Sequence, residues 1–334
     1  LIKRHRWYAT SNEKYQNKPA KITTPYGTKS MKTKVKALYY SILSTSCAGA
    51  VLISSHTSAQ SLLVANYTPG VIDEVTVGGS VTPYLSGLNY PDAMAYDSFG
   101  DLFVANCAND SGNGNIVEYL LNGTHQTVAS GIDPKGLTFN SAGDLFETDY
   151  HSGNIYEYSN GVQSTFSSGF NAPIALTFNN ANDLFVASAS GGGSIITEIT
   201  PTGTKTQFGS GLNGTGCLAF NTAGDLFDAD FTSGDVFEFT PNGMGGYTQS
   251  TYATGLATPV SMTIDSSGDL FVGDSTGNGS SYVTEIKPGD IQSVVANGFY
   301  QPNGIVLMPV PEPSTWALLA MGASAFLIRY RRKV

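Results

Sequence analysis

The 334-residue chain carries a net charge of −9, but its charge is unevenly placed. Residues 60–309 hold three lysines (Lys135, Lys205, Lys287) and no arginine against 24 Asp and Glu, which leaves −21. Such a field repels phosphate backbones and excludes nucleic-acid binding, while it favours solubility, divalent cations and cationic partners.

Residues 1–30 are polar and basic, begin with Leu, and precede a second, better start. They are expected to be a non-native upstream extension. Met31 opens Met-Lys-Thr-Lys-Val-Lys, and an apolar run follows from Ala37 to Ile53. Thr57-Ser58-Ala59 supplies the small residues that a signal peptidase needs, so 31–59 is expected to be a signal peptide cut after Ala59. Cys47 lacks the apolar residue that precedes a lipidated cysteine and is expected to leave with the signal peptide.

From residue 60 onward the chain repeats. Gly100-Asp101-Leu102-Phe103 returns at Gly143, Asn182 (in place of Gly), Gly224 and Gly268, with the aspartates 43, 39, 42 and 44 residues apart. Leu62-Leu63-Val64-Ala65-Asn66 is a sixth copy without the Gly-Asp turn. A period near 40 residues, with several short strands per unit, is the pattern of a β-propeller. In one unit, residues 136–140 read as the inner strand, 145–146 as the start of the second, 154–158 as the third and 163–166 as the fourth. Val, Ile, Phe and Tyr fill these runs and Gly, Asn, Ser and Pro the joins. The first copy enters at its second strand, and Pro302-Asn303-Gly304-Ile305-Val306-Leu307 reads as an inner strand with no partner after it. Together they predict a composite blade that closes an all-β, six-bladed β-propeller over 60–309.

The repeated unit resembles NHL-type blades, and is similar to the six-bladed gluconolactonase and senescence-marker propellers. That likeness implies the architecture, and for the gluconolactonase type a metal-dependent hydrolase in which Glu, Asn and Asp surround Ca²⁺ and polarise a lactone. Loops at one end of such a ring open on the central channel. The second-strand ends there carry Asn66, Asn106, Asp149, Ser188, Asp230 and Asp274, and the slot after each inner-strand proline carries Asp92, Lys135, Ile174, Val260 and Asn303. Asp92 and Asn303 fall in adjacent blades and offer the hard oxygen ligands that Ca²⁺ prefers. Asp92, Asn303 and Asp149 are therefore the metal candidates, with Glu147 a more distant one. The competing reading makes Asp149, Asp230 and Asp274 turn caps, a repeated job for a repeated position.

No catalytic residue set is assigned. His125 and His151 are the two histidines of 60–309, and neither accompanies a Ser or Cys nucleophile pattern. The streptogramin-lyase-like propellers rely on histidine chemistry, which this scarcity disfavours. Cys107 and Cys217 fall three blades apart, so two free thiols are expected.

The C-terminal segment, 310–334, has Pro311-Glu312-Pro313, an apolar run from Trp316 to Ile328, and then Arg329-Tyr330-Arg331-Arg332-Lys333. Thirteen residues of helix span about 20 Å, so the short hydrophobic helix needs its flanking side chains to reach across a ~30 Å bilayer core. The order of these parts resembles the PEP-CTERM sorting tail. The resemblance implies export through the inner membrane, transient anchoring there, processing by an exosortase-type protease, and delivery to the cell surface or extracellular matrix. The favoured expectation is a non-catalytic binding module for matrix polysaccharide or a surface protein; the alternative is a Ca²⁺-dependent lactonase or related hydrolase.

Overall fold

The computed structural model describes residues 60–309 apart from 77, 191, 192 and 278. The upstream extension, the signal peptide with its cleavage site at Ala59, and the sorting tail with its hydrophobic helix lie outside the described residues. Among the described residues there are 24 strands in six four-stranded sheets, and no helix long and apolar enough to cross a membrane.

Blade 1 is the composite. Its inner strand Pro302–Leu307 pairs antiparallel with Leu62–Asn66, followed outward by Val71–Val75 and Val81–Ser86. The inner strands of blades 2 to 6 are Pro91–Tyr96, Pro134–Phe139, Pro173–Phe178, Thr215–Phe220 and Pro259–Ile264. In the blade read most closely from sequence, the observed strands are Pro134–Phe139, Leu145–Asp149, Asn154–Ser159 and Val162–Ser167, within two residues of expectation. Closure by the two ends of the ring leaves blade 1 no open inner edge.

The second strands hold the core. Leu62–Asn66, Leu102–Asn106, Leu145–Asp149 and Leu226–Asp230 are buried at every position. In blades 2 to 4 the Phe of the Leu-Phe pair packs edge-on against an inner-strand Phe of the next blade, while in blade 5 Phe227 packs edge-on against Tyr252. Phe103 meets Phe139, Phe146 meets Phe178 and Phe185 meets Phe220, with centroids 4.9–5.0 Å apart. Edge-to-face pairs of this kind add about 0.5–1.5 kcal/mol beyond area burial, so the repeat signature helps to hold blades 2 to 5 together.

The Gly-Asp joins follow one design. Asn140 Oδ1 accepts the N–H groups of Ala142 (2.9 Å) and Asp144 (2.8 Å), while Asn140 Nδ2 donates to Asp144 Oδ2 (3.1 Å). Asn179 and Asn221 repeat all three bonds in their turns, and Asp97 and Asp265 repeat the two backbone ones. Gly143 closes its turn at φ +87°, a conformation that glycine adopts freely.

One irregularity recurs in every blade. The register between inner and second strand slips by one residue just after the first inner-strand position. A bulge inserts an unpaired residue and re-aims its side chain. The inserted residues are Asn303, Asp92, Lys135, Ile174, Gly216 and Val260, which all line the channel mouth.

Candidate functional site

The six inner strands enclose a channel cavity of about 420 Å³. At one end it opens into a mouth of about 270 Å³, formed by the six bulge residues with Asp110, Tyr150 and Phe231. The mouth has two unlike halves. Blades 1 to 3 supply Asn303, Asp92 and Lys135, while blades 4 to 6 supply Ile174, Gly216 and Val260.

Asp92 and Asn303 do meet, as their positions in adjacent blades predict. Asn303 Nδ2 donates to Asp92 Oδ1 at 2.8 Å, and Lys135 Nζ donates to Asp92 Oδ2 at 2.7 Å. Lys135 also bonds Asp110, and its ammonium sits over the rings of Tyr67 and Tyr150 at 5.6 and 5.7 Å from their centroids. The side chains of Lys135 and Asp92 are only 12% and 11% exposed. Burial works against a charged lysine, but Asp92's charge and the bonds to Asp110 and Asp92 outweigh it and raise the Lys135 pKa. Burial raises Asp92, with Lys135 and Asn303 opposing it. Asp110 is also partly buried, yet the Lys135 bond and charge hold its carboxyl below the usual range.

Asp149 is not brought to this group. Its Oδ2 accepts the Asp133 N–H (3.0 Å) and its Oδ1 the Ser152 N–H (2.7 Å). Asp230 accepts from Asn213 (2.7 Å), Thr232 (2.9 Å) and Ser233 (3.0 Å), and Asp274 from Ala257 (2.8 Å) and Thr258 (2.6 Å). These three carboxylates cap the loops that enter and leave the mouth. Asn66 does related work, donating to Asp73 (2.7 Å) and accepting from the Tyr300 N–H (3.2 Å).

Glu147 is fully buried in its second strand, where the Tyr158 hydroxyl donates to Oε1 at 3.3 Å, and it does not line the mouth. Glu147 and Asp228 occupy the strand position that is Val64, Val104, Val186 and Val272 in the other blades. Burial pushes both well above the usual carboxylate range, helped by the neighbouring Asp149 and Asp230 respectively. Cys107 and Cys217 are both free, as expected. His151 is 66% exposed along its side chain, with Nδ1 3.3 Å from Asp133 Oδ2.

Four members of the mouth escape a reading from sequence; Tyr150 and Phe231 each directly follow a candidate second-strand end, Asp149 and Asp230 respectively. Gly216 follows Thr215 and not a proline, so its slot lacks the mark that locates the others. Asp110 belongs to a loop in which Ala108, Asn109 and Asp110 all take positive φ (53°, 58° and 56°), an arrangement that no glycine announces.

Residues 309–333 match the family model of the PEP-CTERM protein-sorting motif. No curated protein matches the chain. Among solved structures, a chain of a nidogen/laminin complex is similar at 16% identity with a TM-score of 0.64, covering 75% of this chain and 98% of its own length. Virginiamycin B lyase from Staphylococcus aureus aligns at 16% identity and TM-score 0.54, over 71% of this chain and 81% of the lyase. A gluconolactonase from Xanthomonas campestris aligns at 11% identity and TM-score 0.53, over 73% and 86%. These likenesses show the fold: a six-bladed propeller of the kind found in both binding proteins and enzymes. The motif marks the chain for export and surface anchoring through the exosortase system.

Proposed function

We propose that this chain is an exported, non-catalytic binding module whose channel mouth takes a neutral or amine-bearing segment of matrix polysaccharide. The observation that carries the reading is the pairing of Asp92 with both Lys135 and Asn303, opposite an apolar wall. A divalent cation seated on Asp92 and Asn303 has to displace the Lys135 ammonium, against its charge. The paired groups instead present a set of fixed donors and acceptors beside Tyr150, Phe231 and Val260. Concave sites with a few placed polar groups and aromatic surface suit a sugar ring, which has a polar rim and apolar faces. The −21 charge of residues 60–309 disfavours anionic polymers. Pro302–Leu307 starts at the mouth and runs to the far end of the channel, one residue short of the sorting motif. The mouth therefore faces away from the point where an anchor joins the ring.

The test uses residues 60–309, which contain every strand and core residue of the ring. Calorimetric titration with neutral and amino-sugar oligosaccharides is expected to show binding that Tyr150→Ala weakens by about tenfold, one stacking contact's worth. A large Ca²⁺-dependent rise in melting temperature with lactone turnover, both lost in Asn303→Ala, overturns the reading in favour of the lactonase.

A further inference from the structure

Beside the mouth, and sharing Asp110 with it, a second group of side chains converges. Cys107 follows the end of the second strand in blade 2, and Asp133 precedes the inner strand of blade 3; both are fully buried. Asp110 folds back over them through the left-handed turn at Ala108–Asp110, where its N–H bonds the Cys107 carbonyl at 3.2 Å. The Cys107 sulfur and one carboxylate oxygen from each aspartate lie within 4.8 Å of one another. The independent sign of a ligand is Asp133. Its side chain is 0% exposed, yet Oδ1 has no hydrogen-bond partner among the described residues, while Oδ2 faces only His151 Nδ1. A buried carboxylate oxygen without a donor costs about 1–3 kcal/mol or more, and a cation relieves that cost.

We propose that Cys107, Asp110 and Asp133 form a binding site for a divalent cation of the zinc class, with the fourth coordination position left to water. The donor chemistry selects the ion. A thiolate with two carboxylates suits a borderline-soft cation in four-coordinate geometry, whereas Ca²⁺ and Mg²⁺ take oxygen ligands. Ligand atoms around tetrahedral zinc stand roughly 3–4 Å apart at bond lengths of about 2.0–2.3 Å, so these side chains need only close by about an ångström. On coordination the Cys107 thiol releases its proton to solvent as the sulfur–metal bond forms. Lys135 and the Tyr67 hydroxyl already engage Asp110 Oδ1 (Tyr67 at 3.5 Å), and the carboxylate has a second oxygen to offer. The site shares Asp110 with the mouth and is linked to Asp92 through Lys135, but it uses neither Asp92 nor Asn303 as a ligand.

The experiment titrates the metal-free full chain, purified in detergent, with Co²⁺ and then Zn²⁺. One equivalent of Co²⁺ is expected to give the near-ultraviolet charge-transfer band of a thiolate–cobalt bond, which Zn²⁺ then abolishes. Cys107→Ser should remove the band, and the Cys47→Ser/Cys217→Ser double variant should keep it. Asp133→Asn should weaken Zn²⁺ binding at least about tenfold, the scale on which ligand-shell changes act, while its metal-free melting temperature is unchanged or higher. No band in the wild type, a band that survives Cys107→Ser, or unaltered affinity in a folded Asp133→Asn protein overturns the proposal.

Discussion

The two ends of each inner strand obey different rules. At the turn end, Asn or Asp begins the join in blades 2 to 6 and makes the same backbone bonds each time. At the mouth end, the same bulge recurs six times, but the inserted residue changes from Asp to Lys, Ile, Gly, Val and Asn. Backbone geometry is repeated at both ends; side-chain chemistry is repeated only at one. A repeated side chain answers a need that every blade has, whereas a varied one on a fixed bulge is free to build something the ring has once.

The sharpest way to break this contrast is at Lys135. Lys135→Met leaves Asp92 without its counter-ion in a largely buried setting, a loss of 3–5 kcal/mol for a fully buried pair. Solvent at the open mouth reduces that to roughly 2–3 kcal/mol, or roughly 5–10 °C in thermal melting. The double variant Asp92→Asn/Lys135→Met should recover most of it, because removing both charges removes the unpaired one.

Asn140→Ala probes the opposite end. It deletes one turn's side-chain bonds and is expected to cost about 1–2 kcal/mol, seen in melting, with ligand binding at the mouth unchanged. A binding loss there would break the separation of the two ends.

Glu147→Gln acts between the ends, within a second strand. An acid whose pKa rises on folding binds protons more tightly in the folded state. Its cost therefore grows as pH climbs from the unfolded carboxylate value, near ~4, toward the raised folded value, and is constant above it. The amide keeps an acceptor for Tyr158 and removes that descent. Melting at pH 7 should rise by a few degrees, at about 2–4 °C per kcal/mol, and the rise should vanish below pH 4. The smallest effect is expected at Val260→Ala on the apolar rim. Its stability should change by at most about 0.5–1.5 kcal/mol, while oligosaccharide affinity drops a fewfold.

The ring itself was legible because its signals are local and repeated. Leu-Phe pairs, Asn-x-x-Gly-Asp turns and proline-led inner strands each report on short-range geometry, and the unmatched halves at 62–66 and 302–307 fix the closure. The mouth was legible in outline only. Adjacent slots put Asp92 near Asn303, but the reach of the Lys135 side chain, 43 residues on from Asp92, is a matter of rotamers. The fate of Asp149 was open between a ligand and a cap, and its two backbone N–H partners make it a cap. Cys107, Asp110 and Asp133 were not assembled from sequence, since their approach depends on three left-handed residues without glycine.

The composite blade has a mechanical consequence. The closing strand pairs Leu307 with Leu62 at one end and Pro302 with Asn66 at the other, and the chain both enters and leaves at the Leu62–Leu307 end. Pulling the tail away from the chain that enters at Leu62 would load that single rung before any other, and peel the seam pair by pair. Shear would instead strain all the rungs together. The ring thus has a built-in direction of weakness: a tail pulled sideways from Leu62 opens the seam from the end farthest from the mouth. A pull between the tail and a ligand at the mouth runs along the strand and meets every rung at once.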